Sequence, residues 1–304
     1  MDINKIYIDI ANNINPKNVL KNEMMKNHTS FKIGGPADLL IMPESIEEIA
    51  FTIGYCKENN IKYHIIGNGS NLLISDKGIR GVVIKVADNF KDVVVEGNIV
   101  KAQAGILLSR LSKIIMNESL EGFEFASGIP GTLGGAVAMN AGAYGGEMKD
   151  VVTGVSVLDN KGNVMHFTKD EIEFGYRKSI IQENGYIVLE VQMELNKSDF
   201  EKIKSITDDL TERRTSKQPL HLPSAGSTFK RPVGHYAGKL IEDSGLKGVR
   251  VGDAQVSDLH CGFIVNLGNA TFEEVYDLIR LVQKVVRDKF DVELETEVKI
   301  IDEE

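Results

Sequence analysis

The stretch FASGIPGTLGGAVAMNAGAYGG, residues 125–146, runs for 22 positions without a charged side chain and contains seven glycines. Glycine permits positive φ angles and lets backbone N–H groups approach a ligand closely, which is a common way to hold an anionic diphosphate. A second glycine loop, residues 67–71 (GNGSN), follows a strand-like run about sixty residues upstream. The two loops together predict a site for one long cofactor with a pyrophosphate at its centre.

The familiar nucleotide fingerprints do not explain these loops. The third glycine of a dinucleotide-binding fingerprint is replaced by Leu72, and residues 70–76 lack the amphipathic helix that should follow. The phosphate-binding pattern Gly-Lys-Ser/Thr is also missing at the required spacing. Taken alone, the short Gly67-x-Gly69 motif is more often a tight turn than a binding loop.

Length and composition indicate an ordinary globular protein of two or three domains. The chain has 304 residues, 42% of them hydrophobic and 26% charged, against a prior of roughly 150 residues per domain. No segment approaches the ~20 apolar residues of a membrane helix, and the N-terminus lacks a signal-peptide pattern. We therefore expect a cytoplasmic protein that does not bind membranes.

Cysteine, histidine and charge narrow the chemistry further. Cys56 and Cys261 are far apart and are expected to be small buried residues, and the six histidines form no ligand motif, so no metal site is predicted. A net charge of −9 argues against nucleic acid. Residues 211–239 carry six Lys or Arg against one acid, which indicates either a solvated helix face or a site for a small anionic ligand.

Capping boxes and apolar periodicity place four helices, and β-rich runs place the strands. Helices are predicted after Ser45 (ending at Asn59-Asn60), after Thr271, over 107–117 and over 203–215. Strands are predicted at 62–66, 82–86, 93–96, 99–104, 152–158, 164–167 and 187–195, with 159–163 joining two of them as a hairpin. Because no regular β-α-β alternation is present, we predict an α+β fold. Three units are expected, 1–90, 91–200 and 201–304.

Near the C-terminus, residues 292–300 alternate as in a strand. This pattern puts Glu293, Glu295, Glu297 and Lys299 on one face. The alternation by itself indicates a solvated face and does not choose among the three glutamates.

Seven motifs in order make the chain resemble the UDP-N-acetylenolpyruvoylglucosamine reductase family. They extend over about residues 28 to 300 and are KIGGPAD (32–38), GNGSNLL (67–73), GIPGTLGG (128–135), NAGAYG (140–145), YRKS (176–179), GSTFKRP (226–232) and ETEV (295–298). The resemblance implies a two-part FAD-binding module of the vanillyl-alcohol-oxidase (PCMH) type, made of 1–90 and 91–200. A C-terminal α+β substrate-binding domain, 201–304, would follow.

What the resemblance implies for cofactors is one non-covalent FAD, with NADPH as co-substrate using the same site before the UDP-sugar. The family reduces UDP-N-acetylglucosamine enolpyruvate to UDP-N-acetylmuramate, a step of peptidoglycan precursor synthesis in cell-wall formation. FAD would be bound through Gly67, Asn68, Gly69, Ser70, Asn71, Ser127, Gly128, Ile129, Gly131 and Thr132.

Three residues are expected to carry the chemistry. Arg177 would grip the substrate carboxylate, where negative charge develops after hydride transfer, because a guanidinium is always charged and binds carboxylates in a bidentate manner. Ser227 would donate the proton to the neighbouring carbon. The family resemblance selects Glu297 among the three glutamates, to orient the substrate or assist proton delivery. Outside the family match, Arg177 reads as a surface arginine and Ser227 as a turn residue.

Substrate contacts are predicted at Tyr144, Tyr176, Lys217, Lys230, Arg231, Tyr236 and Gln255. Only 49 residues lie between Arg177 and Ser227, too few for the inserted tyrosine-bearing loop of some family members, so the chain resembles the shorter subtype. Tyr176 or Tyr236 would then cover the nucleotide. We expect a monomer that acts on small molecules and needs no partner protein.

Two other functions are compatible with an FAD module. A flavin oxidase would be reoxidised rapidly by air and often carries its flavin on a histidine. A subunit that only passes electrons to partner proteins would leave Arg177, Ser227 and Glu297 without a role, and the isolated chain would not turn over.

Overall fold

The computed structural model describes residues 2–302, and it confirms the α+β class. The helices are α1 (Ile3–Ala11), α2 (Ile46–Glu58), α3 (Leu108–Asn117), α4 (Leu133–Ala138), α5 (Met148–Val151), α6 (Ile180–Glu183), α7 (Phe200–Lys217), α8 (Ala237–Asp243) and α9 (Phe272–Phe290). Between residues 2 and 302 none of them is long and apolar enough to cross a membrane.

Strands occupy short segments throughout the same range. They are β1 (Val19–Met24), β2 (Pro36–Ile41), β3 (Tyr63–Ile66), β4 (Leu72–Ile74), β5 (Ile79–Lys85), β6 (Val93–Glu96), β7 (Ile99–Gln103), β8 (Leu120–Glu121), β9 (Gly142–Ala143), β10 (Gly146–Glu147), β11 (Val152–Leu158), β12 (Val164–Thr168), β13 (Ile187–Glu194), β14 (Asn196–Lys197), β15 (Ser224–Ser227), β16 (Arg250–Val251), β17 (Ala254–Val256), β18 (Phe263–Asn266) and β19 (Lys299–Ile301).

All four helices predicted from the sequence are present. Ser45 Oγ accepts from Glu48 N at 3.2 Å at the start of α2, and Thr271 with Glu274 forms a full capping box at the start of α9. Helix α7 begins earlier than predicted because the Asp199 carboxylate accepts the first free backbone N–H groups of the helix.

The strands form three larger sheets and three two-stranded pairs. The larger sheets have the orders β1-β2-β5-β3, β12-β11-β13-β7-β6 and β15-β18-β17-β16. The predicted hairpin at 159–163 joins antiparallel β11 and β12, and the Asp159 carboxylate accepts from the backbone of Lys161 and Asn163 in its turn. The seven strands predicted from the sequence are present, with ends that differ by up to three residues.

The chain divides into two compact units, each with its own hydrophobic core. Unit 1 consists of Met1–Lys21, Leu39–Asn68 and Gly81–Arg214, and unit 2 of Asn22–Asp38, Gly69–Arg80 and Thr215–Glu304. Cys56 lies in the first core and Cys261 in the second, both as free thiols, which confirms that they are buried. Burial raises the pKa of Cys56 to about 12.

These units are discontinuous, whereas the sequence predicted contiguous ones. Residues 22–38 and 69–80, expected in a unit 1–90, belong with the C-terminal part of the chain because of long-range hydrogen bonds. Strand β4 pairs in parallel with β19, and Asn266 Nδ2 donates to the Phe31 carbonyl at 3.1 Å. The division into 1–90, 91–200 and 201–304 differs from these units in its boundaries and stays a prediction.

The strand predicted at 292–300 is wrong over most of its length, since the regular strand covers Lys299–Ile301. The preceding segment makes one isolated bridge, Thr296 with Phe229. The Leu294 carbonyl accepts from the Gln283 side chain at 2.8 Å instead of from a neighbouring strand. A side-chain donor thus takes the place of a ladder partner, and alternation alone does not reveal that.

Candidate functional site

The two glycine loops lie against each other within unit 1. Gly67 follows β3, and Thr132 immediately precedes α4. A Cβ atom at position 67 would lie 2.3 Å from Thr132 Oγ1, so a side chain there would require Thr132 to shift. Asn68 Nδ2 also donates to the Pro130 carbonyl at 3.0 Å. Two loops sixty residues apart in the chain are therefore in direct contact, as a shared cofactor requires.

Backbone hydrogen bonds hold the second loop in place. Leu108 N donates to the Gly131 carbonyl at 3.0 Å, and Leu133 N donates to the Ile106 carbonyl at 2.9 Å. Thr132, between them, is buried. The loop is therefore rigid where it meets Gly67, which is the preorganisation that a binding loop needs.

Arg214 on α7 adds a positive charge beside the same loop. Its Cδ atom would lie 2.7 Å from a Cβ atom at Gly128. Burial lowers the pKa of Arg214, and the nearby Tyr144 opposes that shift. An arginine remains protonated under such conditions. Glycine backbone, small polar side chains and a half-buried cation fit an anionic diphosphate group.

The remainder of the first glycine loop belongs to unit 2. Gly69 has a φ of +65°, and a Cβ atom there would lie 2.0 Å from the His28 carbonyl oxygen, so a side chain is excluded. Ser30 N donates to the Gly69 carbonyl at 3.2 Å. Asn71 Nδ2 donates to the Glu297 carbonyl at 2.9 Å. The predicted cofactor residue Asn71 is thus bonded to a predicted catalytic residue.

Arg177 lies in a tight turn of unit 1. Gly175 and Lys178 bridge across the turn, and Arg177 has a φ of +54°, in the left-handed region. Its guanidinium lies 3.3 Å from the Gly142 carbonyl oxygen and 3.5 Å from that of Asn140. Such a conformation costs free energy for a non-glycine residue and is typical of functional positions.

Ser227 is aimed by an irregularity at the end of β15. Ser227 pairs with Phe263 and Ser224 with Val265, and the register shifts between these two pairs. Gly226 has a φ of +74° at this point. Bulges of this kind redirect a side chain beside functional sites. The Ser227 side chain is half-buried.

Glu297 is bonded to the chain next to Ser227. Its backbone N donates to the Thr228 carbonyl at 2.8 Å, while Thr228 N donates to the Gly262 carbonyl at 2.8 Å. The Glu297 side chain is half-buried, whereas Glu293 and Glu295 are 77% and 75% exposed. Unit 2 therefore brings Ser227 and Glu297 onto neighbouring segments, and burial singles out Glu297.

The predicted substrate contacts are mostly surface side chains. Tyr144, Tyr176 and Tyr236 are 44%, 51% and 64% exposed, and Lys217 at the end of α7 is exposed as well. The Arg231 guanidinium lies 4.0 Å from the centre of the Tyr236 ring, a favourable cation–π contact. Large exposed aromatic rings beside cations suit a nucleotide, but their roles stay predictions.

Two further residues that are predicted to contact the substrate form polar contacts within the protein itself. Lys230 Nζ lies 3.0 Å from Glu295 Oε2, and Gln255 Nε2 donates to the Gly248 carbonyl at 3.2 Å. Other cations of the basic window are paired in the same way, Arg213 with Asp209 and Lys239 with Asp243. Much of the local positive charge is therefore balanced by acids outside the window, such as Asp209, Asp243 and Glu295.

Sequence reasoning did not single out Arg214 or Asn140. Arg214 lay in the basic window without being distinguished from Arg213, and the burial of Arg214 follows from the position of α7. Asn140 follows α4 inside the glycine stretch, where it is completely buried. Within residues 133–143 Asn140 is the single polar side chain, which was the signal available for it.

The chain is similar to known proteins over its whole length. Residues 37–168 match an FAD binding domain, and residues 218–301 match the C-terminal domain of UDP-N-acetylenolpyruvoylglucosamine reductase. Reductases of that name from Alkaliphilus oremlandii and Clostridioides difficile are 62% and 52% identical, each over 100% of both chains. The crystal structure of the Thermus caldophilus reductase has a TM-score of 0.80 at 36% identity, covering 92% of this chain and 98% of that one.

The α+β fold, the paired glycine loops and the FAD-binding-domain match define an FAD-dependent oxidoreductase. An FAD-binding module followed by a reductase C-terminal domain was predicted and is confirmed. The full-length relatives show that the chain belongs to the UDP-N-acetylenolpyruvoylglucosamine reductase family.

Proposed function

We propose that this protein uses NADPH to reduce UDP-N-acetylglucosamine enolpyruvate to UDP-N-acetylmuramate, with FAD bound at the paired glycine loops. The observation that carries the cofactor assignment is the contact of Gly67 with Thr132, which leaves no room for a side chain. The cofactor-binding residues predicted from the sequence fall in the two loops around this contact. FAD held there, once reduced by NADPH, would supply a hydride for the terminal carbon of the enolpyruvyl group.

Arg177 receives the substrate carboxylate in this proposal. Hydride addition to the terminal carbon places negative charge on the carboxylate oxygens. A guanidinium stabilises that charge with parallel hydrogen bonds, and removal of one such preorganised donor typically costs about 10²- to 10³-fold in rate. The turn at 175–178 supports this role because it holds the arginine in a defined conformation.

Ser227 donates the proton that the adjacent carbon needs. The substrate then gains one hydride and one proton, NADPH is oxidised to NADP⁺, and the serine is reprotonated from solvent. Glu297 orients the substrate or assists this reprotonation. This role is supported by its half-buried side chain and by the hydrogen bond from its backbone N to the Thr228 carbonyl, next to Ser227. Tyr176 and Tyr236 are proposed to cover the nucleotide.

We propose a cytoplasmic monomer that acts on small molecules, in which one chain supplies every residue assigned to cofactor and substrate. The diphosphates of NADPH and the UDP-sugar would use Lys217 and Arg231 in turn. Between Arg177 and Ser227 the chain forms α6, β13, β14 and α7. This supports the proposal that the protein is of the shorter subtype.

Ser227→Ala tests the proposed proton donor. We expect reduction of bound FAD by NADPH to stay near the wild-type rate, while reoxidation by the enolpyruvyl UDP-sugar slows by orders of magnitude. Stopped-flow absorbance of the flavin measures both half-reactions.

Ser244→Ala is the matched control, because Ser244 Oγ is buried without a hydrogen-bond partner in the part of the chain that is described and lies outside the proposed site. An undiminished reoxidation rate in Ser227→Ala would exclude Ser227 as the donor. Rapid reoxidation by air in place of the UDP-sugar would favour a flavin oxidase.

A further inference from the structure

We propose that Asn140 is a positioning residue for Arg177, an inference that rests on the function proposed above for that arginine. Asn140 follows the end of α4 and is completely buried. Its φ of +46° lies in the left-handed region, which asparagine adopts more readily than most residues. A buried amide in an unusual backbone conformation requires partners.

The Asn140 amide connects three segments. Nδ2 donates to the Gly175 carbonyl at 2.9 Å and to Glu147 Oε2 at 2.9 Å. Oδ1 accepts from Lys149 N at 3.0 Å. Both amide hydrogens are therefore used, and replacement of either end of the amide leaves a buried group unpaired.

The bond to Gly175 holds the turn that carries Arg177. Gly175 N donates to the Lys178 carbonyl at 2.9 Å, which closes the turn. Just beyond it, Ser179 Oγ donates to the Ala138 carbonyl at 2.6 Å. The turn is thus tied to the end of α4 on both sides of Arg177.

Asn140 also contacts the other end of the arginine. The Arg177 guanidinium lies 3.5 Å from the Asn140 carbonyl oxygen. The main chain of the arginine is therefore held through Gly175, and the head group is held directly. Few rotamers of a long, flexible side chain satisfy both conditions, so the guanidinium is preorganised.

Glu147 adds an electrostatic restraint to the same network. Its carboxylate accepts from Asn140 and forms an ion pair with Lys149 at 2.9 Å. The hydrogen bond from Lys149 lowers the pKa of Glu147, and Asn140 and Arg177 lower it further. The carboxylate is therefore ionised at neutral pH and attracts the guanidinium to this side of the turn.

This arrangement predicts that Asn140 affects the substrate half-reaction without touching the substrate. A bidentate grip depends on orientation, and a displacement of about 1 Å can cost roughly 10²-fold in rate. Reduction of the flavin by NADPH does not need the carboxylate grip. The two half-reactions should therefore respond differently to a change at Asn140.

A double-mutant cycle with Asn140→Asp and Arg177→Lys tests the inference. Asn140→Asp keeps the shape of the side chain and the oxygen that accepts from Lys149 N. It replaces the NH₂ group that donates to Gly175 and Glu147 by an oxygen. We expect reoxidation by the enolpyruvyl UDP-sugar to slow about 10- to 100-fold, with FAD reduction within about 2-fold of wild type. The double variant should be no more than about 2-fold slower than Arg177→Lys, because one residue acts through the other.

Asn98→Asp is the matched control, since Asn98 Nδ2 donates to Glu194 Oε1 at 3.2 Å on the surface. Additive effects in the double variant, or equal loss of both half-reactions, would indicate a merely structural role and overturn the inference. If Asn140→Asp does not retain FAD, Asn140→Gly replaces it in the double-mutant cycle, because glycine tolerates the positive φ. The same results would support or overturn the inference.

The cycle also separates this inference from the proposed function. A fully active Arg177→Lys variant contradicts the role proposed for the arginine itself. A slow Arg177→Lys variant beside an unaffected Asn140→Asp variant contradicts only the role of Asn140.

Discussion

At residue 67 the chain has no space for a side chain. The backbone of Gly67 faces Thr132 Oγ1 so closely that a Cβ atom would lie 2.3 Å away, well inside van der Waals contact. Thr132 cannot withdraw easily, because it is buried and its neighbours are bonded to the 104–108 segment. The requirement for glycine is therefore set by the other loop.

Gly67→Ala should weaken FAD binding. The added methyl group pushes the two loops apart, and we expect the dissociation constant for FAD to rise at least about tenfold, which corresponds to about 1.4 kcal/mol. Fluorescence titration of the apoprotein with FAD measures the change.

Gly54→Ala is the matched control, because a Cβ atom at Gly54 in α2 meets nothing within 4 Å. That variant should bind FAD like the wild type and gain slightly in stability. Unchanged FAD affinity in Gly67→Ala would show that the loop contact does not shape the binding site.

Glu297 shows how burial resolves what a residue pattern leaves open. Three glutamates alternate in the sequence and are chemically equivalent there. In the structure Glu293 and Glu295 are largely exposed, and Glu295 pairs with Lys230. Glu297 is half-buried on a segment bonded to Thr228. The family resemblance selected Glu297 from the sequence, and its environment supports that choice.

At the scale of elements, the turn between β17 and β18 depends on a neutral histidine. Nδ1 of His260 accepts from Gly262 N at 3.1 Å, and the ring packs edge-on against Phe263 at 5.0 Å between centroids. Burial lowers the pKa of His260, with its backbone hydrogen bond acting in the opposite direction. Protonation would remove the acceptor and place a charge in the turn.

His260→Asn should reduce the loss of stability on acidification. Below the usual histidine pKa of about 6.5, the unfolded chain takes up a proton that the folded turn resists. The contribution of His260 is therefore present at neutral pH and is lost as pH falls from above to below about 6.5. Asparagine retains an acceptor near Gly262 N without titrating.

Denaturant unfolding at several pH values measures this effect. The wild type should lose more free energy of unfolding than His260→Asn over that interval, and His235→Asn on an exposed loop is the substitution control. Equal pH dependence in wild type and His260→Asn would contradict the interpretation.

The elements predicted correctly are those with local signals. Capping at Ser45 and Thr271 defines α2 and α9, and turn residues define the hairpin at 159–163. Helix α4 was not predicted, because its glycines oppose helix formation; burial of Leu133 and Val137 stabilises it. Helices α1, α5, α6 and α8 were also not predicted.

For the whole molecule, the two units have separate cores made from interrupted stretches of chain. Three unit boundaries fall inside β1, β2 and β5, one inside α7 and one between Asn68 and Gly69, so the chain passes repeatedly from one unit to the other. Bonds that close such long loops carry an entropic cost that the native state must offset. Ligands that bind the folded state are expected to contribute to its stability.

Removal of FAD should lower the melting temperature. Free FAD at about 100 times its dissociation constant should stabilise the protein by about 2.7 kcal/mol. Calorimetry of apoprotein with increasing FAD measures the shift. Riboflavin, which lacks the diphosphate, should give a much smaller shift at equal concentration if the glycine loops bind phosphate. Equal stabilisation by both ligands would contradict diphosphate binding at these loops.

The sequence by itself determined the family, the α+β class, the capped helices, the hairpin and the two glycine loops. These features depend on local spacing and on motif order, which are written in the chain. The tertiary structure decided that Gly67 meets Thr132, that Asn140 holds the turn of Arg177, and that Glu297 is half-buried near Ser227. Such contacts join residues far apart in the chain, because packing of the folded backbone brings them together.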